Sequence, residues 1–360
     1  MHSARSSRRD PRPKPVARSP LHVARSLLRW FDSHRRDLPW RRTRDPYRIW
    51  LAEVMLQQTR VPVVVPYYER FLHAFPTVKH LAQGRLERVL RLWAGLGYYQ
   101  RARHLHEAAK RIVREHGSRF PRTLEAALAL PGVGAYTARA VLSIAYRKPV
   151  AVVDGNVARV LVRLFRLKNA DLASRAAFQE LADRLMSRRR PGDFNQALME
   201  LGSTICLPRR PRCPVCPLEK LCAARQAGLE RKIPARRARR ARPRVTLNVL
   251  VPRRNGRVLL VREPAAVGGL FSGLWHFPYA RGQTPQGLAK TLVASNAQRV
   301  ATLTHETTMR DLELRVYETR VNGASLAGGR WVHPQQVARL GVGAATRKIA
   351  EALVAHEVQG

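Results

Sequence analysis

The sequence predicts a mainly helical protein followed by a smaller mixed α/β region. From 21 to 227 nearly every segment spaces its apolar residues three and four apart, as a helix buried on one face requires. After 244 the texture changes to short β-branched runs with Asn-Gly turns, the pattern of strands and hairpins. Between them the basic run RKIPARRARRARPR loses apolar periodicity and reads as a linker that also meets phosphate.

Taken in order, MHSARSSRRDPRPKPVARSP has almost no apolar residues, cannot nucleate packing, and is expected to be a disordered basic tail over 1–20. A transit peptide is the competing reading, but the stretch has no amphipathic face. Helices are expected at LHVARSLLRWF, DPYRIWLAEVMLQQT, LERVLRLWAGL, RARHLHEAAKRIVREH, TLEAALAL, TARAVLSIAY, NVARVLVRLF and AFQELADRLM. They form one domain over 21–227, joined by a linker at 228–244 to an α/β domain at 245–360. In the latter, RVTLNVLVP, GRVLLVRE and LELRVYETRV read as strands, with turns at 255–256 and 322–323 and a closing helix near ATRKIAEALVAH.

The formal net charge of +41, from 66 Lys+Arg against 25 Asp+Glu, far exceeds what solubility needs and points to a polyanion. Such binding releases counterions and weakens steeply with salt. VPVVVPYY is too short to span a membrane and is interrupted by Pro62 and Pro66, so no membrane association is expected. We expect a cytoplasmic monomer, nucleoid-associated if the arginine-rich, lysine-poor usage reflects a bacterial GC-rich genome.

Three motifs carry chemistry. LPGVGAY at 130–136 lies between two helical runs, and Gly132, Val133 and Gly134 can turn backbone N–H groups toward a phosphate at the mouth of the next helix. An ordinary helix–helix turn is the plain alternative. In VVDGNVARV, Asp154 has the position of a helix N-cap, and also that of a carboxylate facing a sugar near the hairpin. Cys206, Cys213, Cys216 and Cys222 follow C-x6-C-x2-C-x5-C and are the chain's only cysteines. Four thiols in one short loop suit a metal site, zinc or iron–sulfur.

LPGVG followed by VDGNV resembles the helix-hairpin-helix DNA glycosylases of the endonuclease III superfamily. The cysteine spacing is similar to the loop that holds their 4Fe-4S cluster. LPWRRTRDPYRIWLAEVMLQQTRV, GLGYYQRARHLH and FNQALMELGSTIC narrow the resemblance to the adenine DNA glycosylase (MutY) family. It implies a helix-hairpin-helix glycosylase fold of two helical subdomains, and double-stranded DNA carrying A opposite 8-oxoguanine or G as partner.

The resemblance also assigns roles. Glu53 is the acid that protonates the leaving adenine, and Asp154 the carboxylate that meets the sugar cation. Tyr136 stands where endonuclease III relatives place a nucleophilic lysine; a phenol forms no imine, which predicts base removal without strand cleavage. Tyr136 and Asn156 position the reacting groups. Gln58 and Tyr98 wedge into the duplex, Arg41, Gln57 and Gln196 lie near the extruded adenine, and Arg209, Arg210 and Arg212 press on DNA from the cysteine loop.

GRVLLVREP and GLFSGLWHFP resemble the Nudix-like domain with which this family reads 8-oxoguanine. A hydrolytic Nudix domain needs several glutamates on one helix, and GLAKTLVASNAQRV has none, so a reader is expected. Where the family carries Phe-Ser-His, this chain has Thr307, Thr308 and Met309; Thr308 keeps a hydroxyl for the lesion. A bifunctional glycosylase/lyase, a mismatch thymine glycosylase and a non-enzymatic redox-sensing DNA binder are the alternatives.

Overall fold

The computed structural model describes residues 20–167, 175–235, 241–262, 271, 273–280, 284, 297–307, 310–321 and 328–359. The chain forms two compact units, each built from two stretches: residues up to Gln57 with Arg111–Arg237, and Gln58–Lys110 with the residues from Ala238.

The first unit contains α1 (Pro20–His34), α2 (Pro46–Leu56), the end of a helix spanning Gln100–Glu115, then Leu124–Leu128, Ala135–Tyr146, Gly155–Phe165, Arg175–Leu185, Pro191–Thr204 and Ala223–Gln226. We number all helices in chain order, α3 (Val61–Ala74), α4 (Val78–Gln83) and α5 (Leu86–Trp93) preceding α6 (Gln100–Glu115), so those just named run from α7 to α12. Its core joins one face each of α1, α9, α10 and α11: Val23, Leu27 and Phe31 meet Val157, Leu161, Phe194, Leu198 and Leu201. Asp45 caps α2 by accepting from the Tyr47 amide, with Pro46 at the first helical position, where its missing N–H costs nothing. Trp50 on α2 packs against Phe120, and the helix is buried almost all round.

In the second unit α3 forms through VPVVVPYY despite Pro66. That stretch is an ordinary packed helix, with Val64, Tyr68 and Phe71 buried and Phe71 edge-on to Trp93. The strands of the same unit are β1 (Arg244–Arg254), β2 (Arg257–Arg262), β3 (Trp275–His276), β4 (Tyr279–Ala280), β5 (Gln298–Glu306), β6 (Asp311–Arg320) and β7 (Arg330–Val332). They run in the order β3-β2-β1-β6-β5, with β4 on β1 and β7 on β2. β1 and β6 are parallel from Arg244↔Asp311 to Arg253↔Arg320, while β1–β2 is antiparallel. The hairpin turn expected at 255–256 forms, with Asn255 and Gly256 both at positive φ. The turn at 322–323 and most of GLAKTLVASNAQRV lie outside the described residues. α13 (Ala344–Gln359) closes the sheet's apolar face through Ala345, Ile349 and Leu353.

Among the described residues, no helix is long and apolar enough to cross a membrane.

Candidate active site

α2 and α8 set the centre of the first unit. Glu53 lies near the C-terminal end of α2 and is only 5% exposed, because its helix is enclosed on all sides. Tyr136 lies in the first turn of α8, and its hydroxyl donates to Glu53 Oε2 at 2.8 Å. The same hydroxyl is 3.1 Å from Met199 Sδ on α11. Gln57 donates from Nε2 to Thr137 Oγ1 at 3.2 Å, a second tie between the two helices. Burial pushes the Glu53 carboxyl up to about 7, against the lowering effects of the Tyr136 hydrogen bond and the Arg41 charge; the Asp154 charge raises it further. Burial and the same two carboxylates hold the Tyr136 phenol well above its ordinary range, so it remains a donor.

The hairpin ahead of α8 is tight, with Val133 N–H bonding Leu130 C=O. Gly132 takes φ +72°, the left-handed region that favours glycine. Gly134 lies at φ −87° and caps α8 with no side-chain bond; a Cβ there would meet no protein atom within 4 Å. The fold itself therefore needs glycine at 132 but not at 134.

Asp154 is indeed the N-cap of α9, accepting from the Val157 amide at 2.7 Å through Oδ1. Its Oδ2 accepts from Asn156 Nδ2 at 3.1 Å. Arg159 carries the chain onward, donating to Asn156 Oδ1, to Gly202 C=O and to Cys206 C=O. Gly202 permits this closeness, since a Cβ there would stand 2.7 Å from Asn156 Cβ. Arg163, 2% exposed, gathers the carbonyls of Cys206, Leu207, Pro208 and Ile233 and reaches Cys206 Sγ at 3.2 Å.

All four cysteines are free thiols in partly buried positions. Among the described residues no group of three or more His, Cys, Asp or Glu side chains is arranged to hold a single metal ion. Burial raises the Cys213 thiol and pushes Cys216 up to about 12, so the ordered loop keeps these sulfurs protonated until a cation arrives. Arg209, Arg210 and Arg212 are exposed on the first interval of the loop.

Gln58 and Tyr98 are both exposed and both at positive φ, +59° and +48°. Arg101 lies 5.4 Å over the Tyr98 ring. Arg41 and Gln196 line one cavity of the first unit, whereas Thr308 lies outside the described residues. The neighbouring Thr307 hydroxyl is turned inward to Arg310 C=O.

Sequence reasoning did not single out Glu200, Asn195 or Met199. Glu200 on α11 is 2% exposed and takes two bonds from Arg36, at 2.6 and 2.7 Å, and one from Arg41 at 2.8 Å. Burial raises its carboxyl, but the hydrogen bonds from Arg36 and Arg41 outweigh it and the net direction is down. Asn195, fully buried, bonds Ser143 Oγ, Val150 C=O and the Val152 amide, fixing the segment that leads to Asp154. A polar residue repeating within the apolar face of FNQALMELG was the available signal.

Residues 51–184 match the family of HhH-GPD superfamily base excision DNA repair proteins, and residues 248–352 match a NUDIX domain. The human adenine DNA glycosylase is 36% identical over 90% of this chain and 72% of its own length. The chain belongs to the adenine DNA glycosylase family. The rat adenine DNA glycosylase is likewise 36% identical, over 90% of this chain and 76% of its own. A solved thermostable thymine-DNA glycosylase superposes with a TM-score of 0.53 at 33% identity, covering 58% of this chain and 97% of that one. Membership makes the protein a DNA N-glycosylase of base excision repair with a helix-hairpin-helix fold and a C-terminal, strand-rich Nudix-like domain. Within this adenine DNA glycosylase family member, Glu53 and Tyr136 fall inside the matched helical region.

Proposed function

We propose that this glycosylase removes adenine standing opposite 8-oxoguanine or guanine in duplex DNA and stops once the base is free. The observation that carries this reading is the buried Glu53 carboxyl, raised to about 7 and bonded to a tyrosine hydroxyl. It holds a proton at neutral pH, as a donor to a poor leaving group must. Adenine leaves once a nitrogen of its imidazole ring takes that proton; the glycosidic bond breaks with its electron pair on the base. The sugar left behind has oxocarbenium character. Asp154, oriented by Val157 N–H and Asn156, stabilises that cation or captures it covalently before water adds. No amine stands at Tyr136 to form an imine, so the strand remains intact.

The supporting parts take these roles. Gly132, Val133 and Gly134 grip one backbone phosphate, and the open space over Gly134 suits that approach. Gln58 and Tyr98 enter the stack as the adenine leaves it. Arg41, Gln57 and Gln196 meet the base, and the buried Arg41 Nε has no partner among the described residues. A 4Fe-4S cluster assigns one cysteine to each iron, so its four thiolates surround a cube rather than converge on one atom; Cys206, Cys213, Cys216 and Cys222 fit that donor set. When bound, the cluster supplies a rigid pin for the loop bearing Arg209, Arg210 and Arg212. We take 21–227 as the glycosylase domain, 228–244 as linker and 245–360 as the reader of the opposite base, in a cytoplasmic monomer.

The likeness to a thymine-DNA glycosylase favours a second reading, thymine removal from G:T. One experiment separates them: the purified chain is incubated with 8-oxoguanine:A, G:A and G:T duplexes, with and without hot alkali. We expect breaks at adenine only, and only after alkali. Breaks in G:T, or breaks without alkali, overturn the reading. An 8-oxoguanine preference below about three-fold over G:A would show that the C-terminal domain does not read the lesion.

A further inference from the structure

We infer that the first unit carries a second anion site, built for a phosphoanhydride chain, at the end of α8 and α11 away from the reacting groups. The cavity that holds it has a volume of about 570 Å³. Its floor comes from the end of α8, at Ser143 and Ile144, and the start of α11, at Pro191 and Gly192. Glycine is required there, because a Cβ on Gly192 would meet Ile144 Cα at 2.7 Å and Ser143 O at 2.8 Å.

Two independent features point to an anion. First, α11 is a 14-residue helix whose N-cap, Arg190, provides no side-chain bond, so its positive end opens on the cavity. Second, seven arginines line the cavity against one carboxylate, Asp193. Asp193 is itself bonded to Arg190, and Arg41 and Arg42 are paired with Glu200 and Asp37. Arg44, Arg147 and Arg189 form no ion pair among the described residues. Arg44 and Arg147 continue into an adjoining cavity with Arg122 and Lys148, which extends the positive lining.

The site is distinct from the base-removal centre. Tyr136 opens α8, and Arg147 follows its last residue, which places them about 16 Å apart along the helix axis. Glu53, Tyr136 and Asp154 do not line the cavity; only Arg41 and Gln196 reach its inner wall. The volume suits a small molecule rather than a duplex groove. Guanidinium forks match phosphate oxygens, and the apolar lining is confined to Ile144 and Pro191, too little to stack a base. A chain of two or three linked phosphates, free or as the tail of a nucleotide, satisfies these constraints.

The test uses the full chain, with binding followed calorimetrically at fixed salt for inorganic tripolyphosphate, ATP and orthophosphate. We expect saturable 1:1 binding of tripolyphosphate and weaker binding of orthophosphate. Equal affinity for ATP identifies the phosphate chain as the whole ligand, and ATP failing to bind identifies free polyphosphate as the source. The double variant R147A/R189A should lose at least about tenfold in affinity while releasing base at the wild-type rate, which also shows that it folds. The control R209A/R210A should bind tripolyphosphate unchanged. No saturable binding, an R147A/R189A variant that binds normally, or an equal loss in R209A/R210A overturns the proposal.

Discussion

Glu53 and Glu200 are both buried glutamates of the first unit, yet their surroundings drive them in opposite directions. Glu53 meets a neutral hydroxyl and the field of another carboxylate, and its carboxyl rises to about 7. Glu200 is at least as buried but meets two guanidiniums, and its carboxyl falls. Burial alone therefore does not make an acid. The partner decides whether a buried carboxyl holds a proton for transfer or a charge for structure.

The largest expected effect that tests this contrast is on rate. Glu53→Gln should lower single-turnover adenine release about 10³-fold or more while substrate duplex binds within a few-fold, read by gel shift and by alkali-revealed breaks. Wild-type turnover by that variant would remove Glu53 from the reaction. Next is stability. Glu200→Ala strands the Arg36 and Arg41 charges and should cost about 3 kcal/mol in denaturant unfolding at pH 8.

The pH dependence of the two sites should run in opposite senses. Glu53 has a folded pKa above its ordinary 4.5, so the unfolded chain releases that proton first and native stability falls as pH rises from 4.5 to about 7. Glu53→Gln removes that penalty and should stabilise the protein by up to about 3 kcal/mol at pH 8 and very little at pH 4.5. Glu200 is depressed, so its contribution is present above the ordinary carboxylate value and disappears as pH falls through the folded one. Glu200→Gln should accordingly destabilise at pH 8 and progressively less in acid. Parallel melting curves for the two variants across pH check the signs.

The smallest effect concerns the phenol. Its hydrogen bond lowers the Glu53 pKa, so Tyr136→Phe should move the alkaline limb of the pH–rate profile upward and slow release by about tenfold or less. A limb that stays in place would mean that Glu53 does not set it.

Much of this centre was legible in the sequence because its residues are tied to local motifs. Asp154 precedes a helical run, the hairpin glycines interrupt one, and Glu53 sits in a segment apolar on every side, which forecasts its burial. Strands β1, β2 and β6 were visible as β-branched runs, whereas β5, QRVATLTHE, mixes polar residues on both faces and shows no alternation. The grouping of Gln58–Lys110 with the strand-rich half was invisible, since it rests on long-range packing. So was the Glu200–Arg36–Arg41 cluster, whose members lie about 160 positions apart. A chain with 66 basic residues offers every glutamate many partners, and only the fold selects two of them.

The left-handed backbone of Gln58 and Tyr98 bears on speed rather than affinity. Each such residue costs about 1 kcal/mol or more, and here folding has already absorbed it. Both probes are cocked before the duplex arrives, so interrogating a base pair needs no backbone rearrangement of theirs. A protein that must sample very many correct pairs for each faulty one gains most where every rejection is quick.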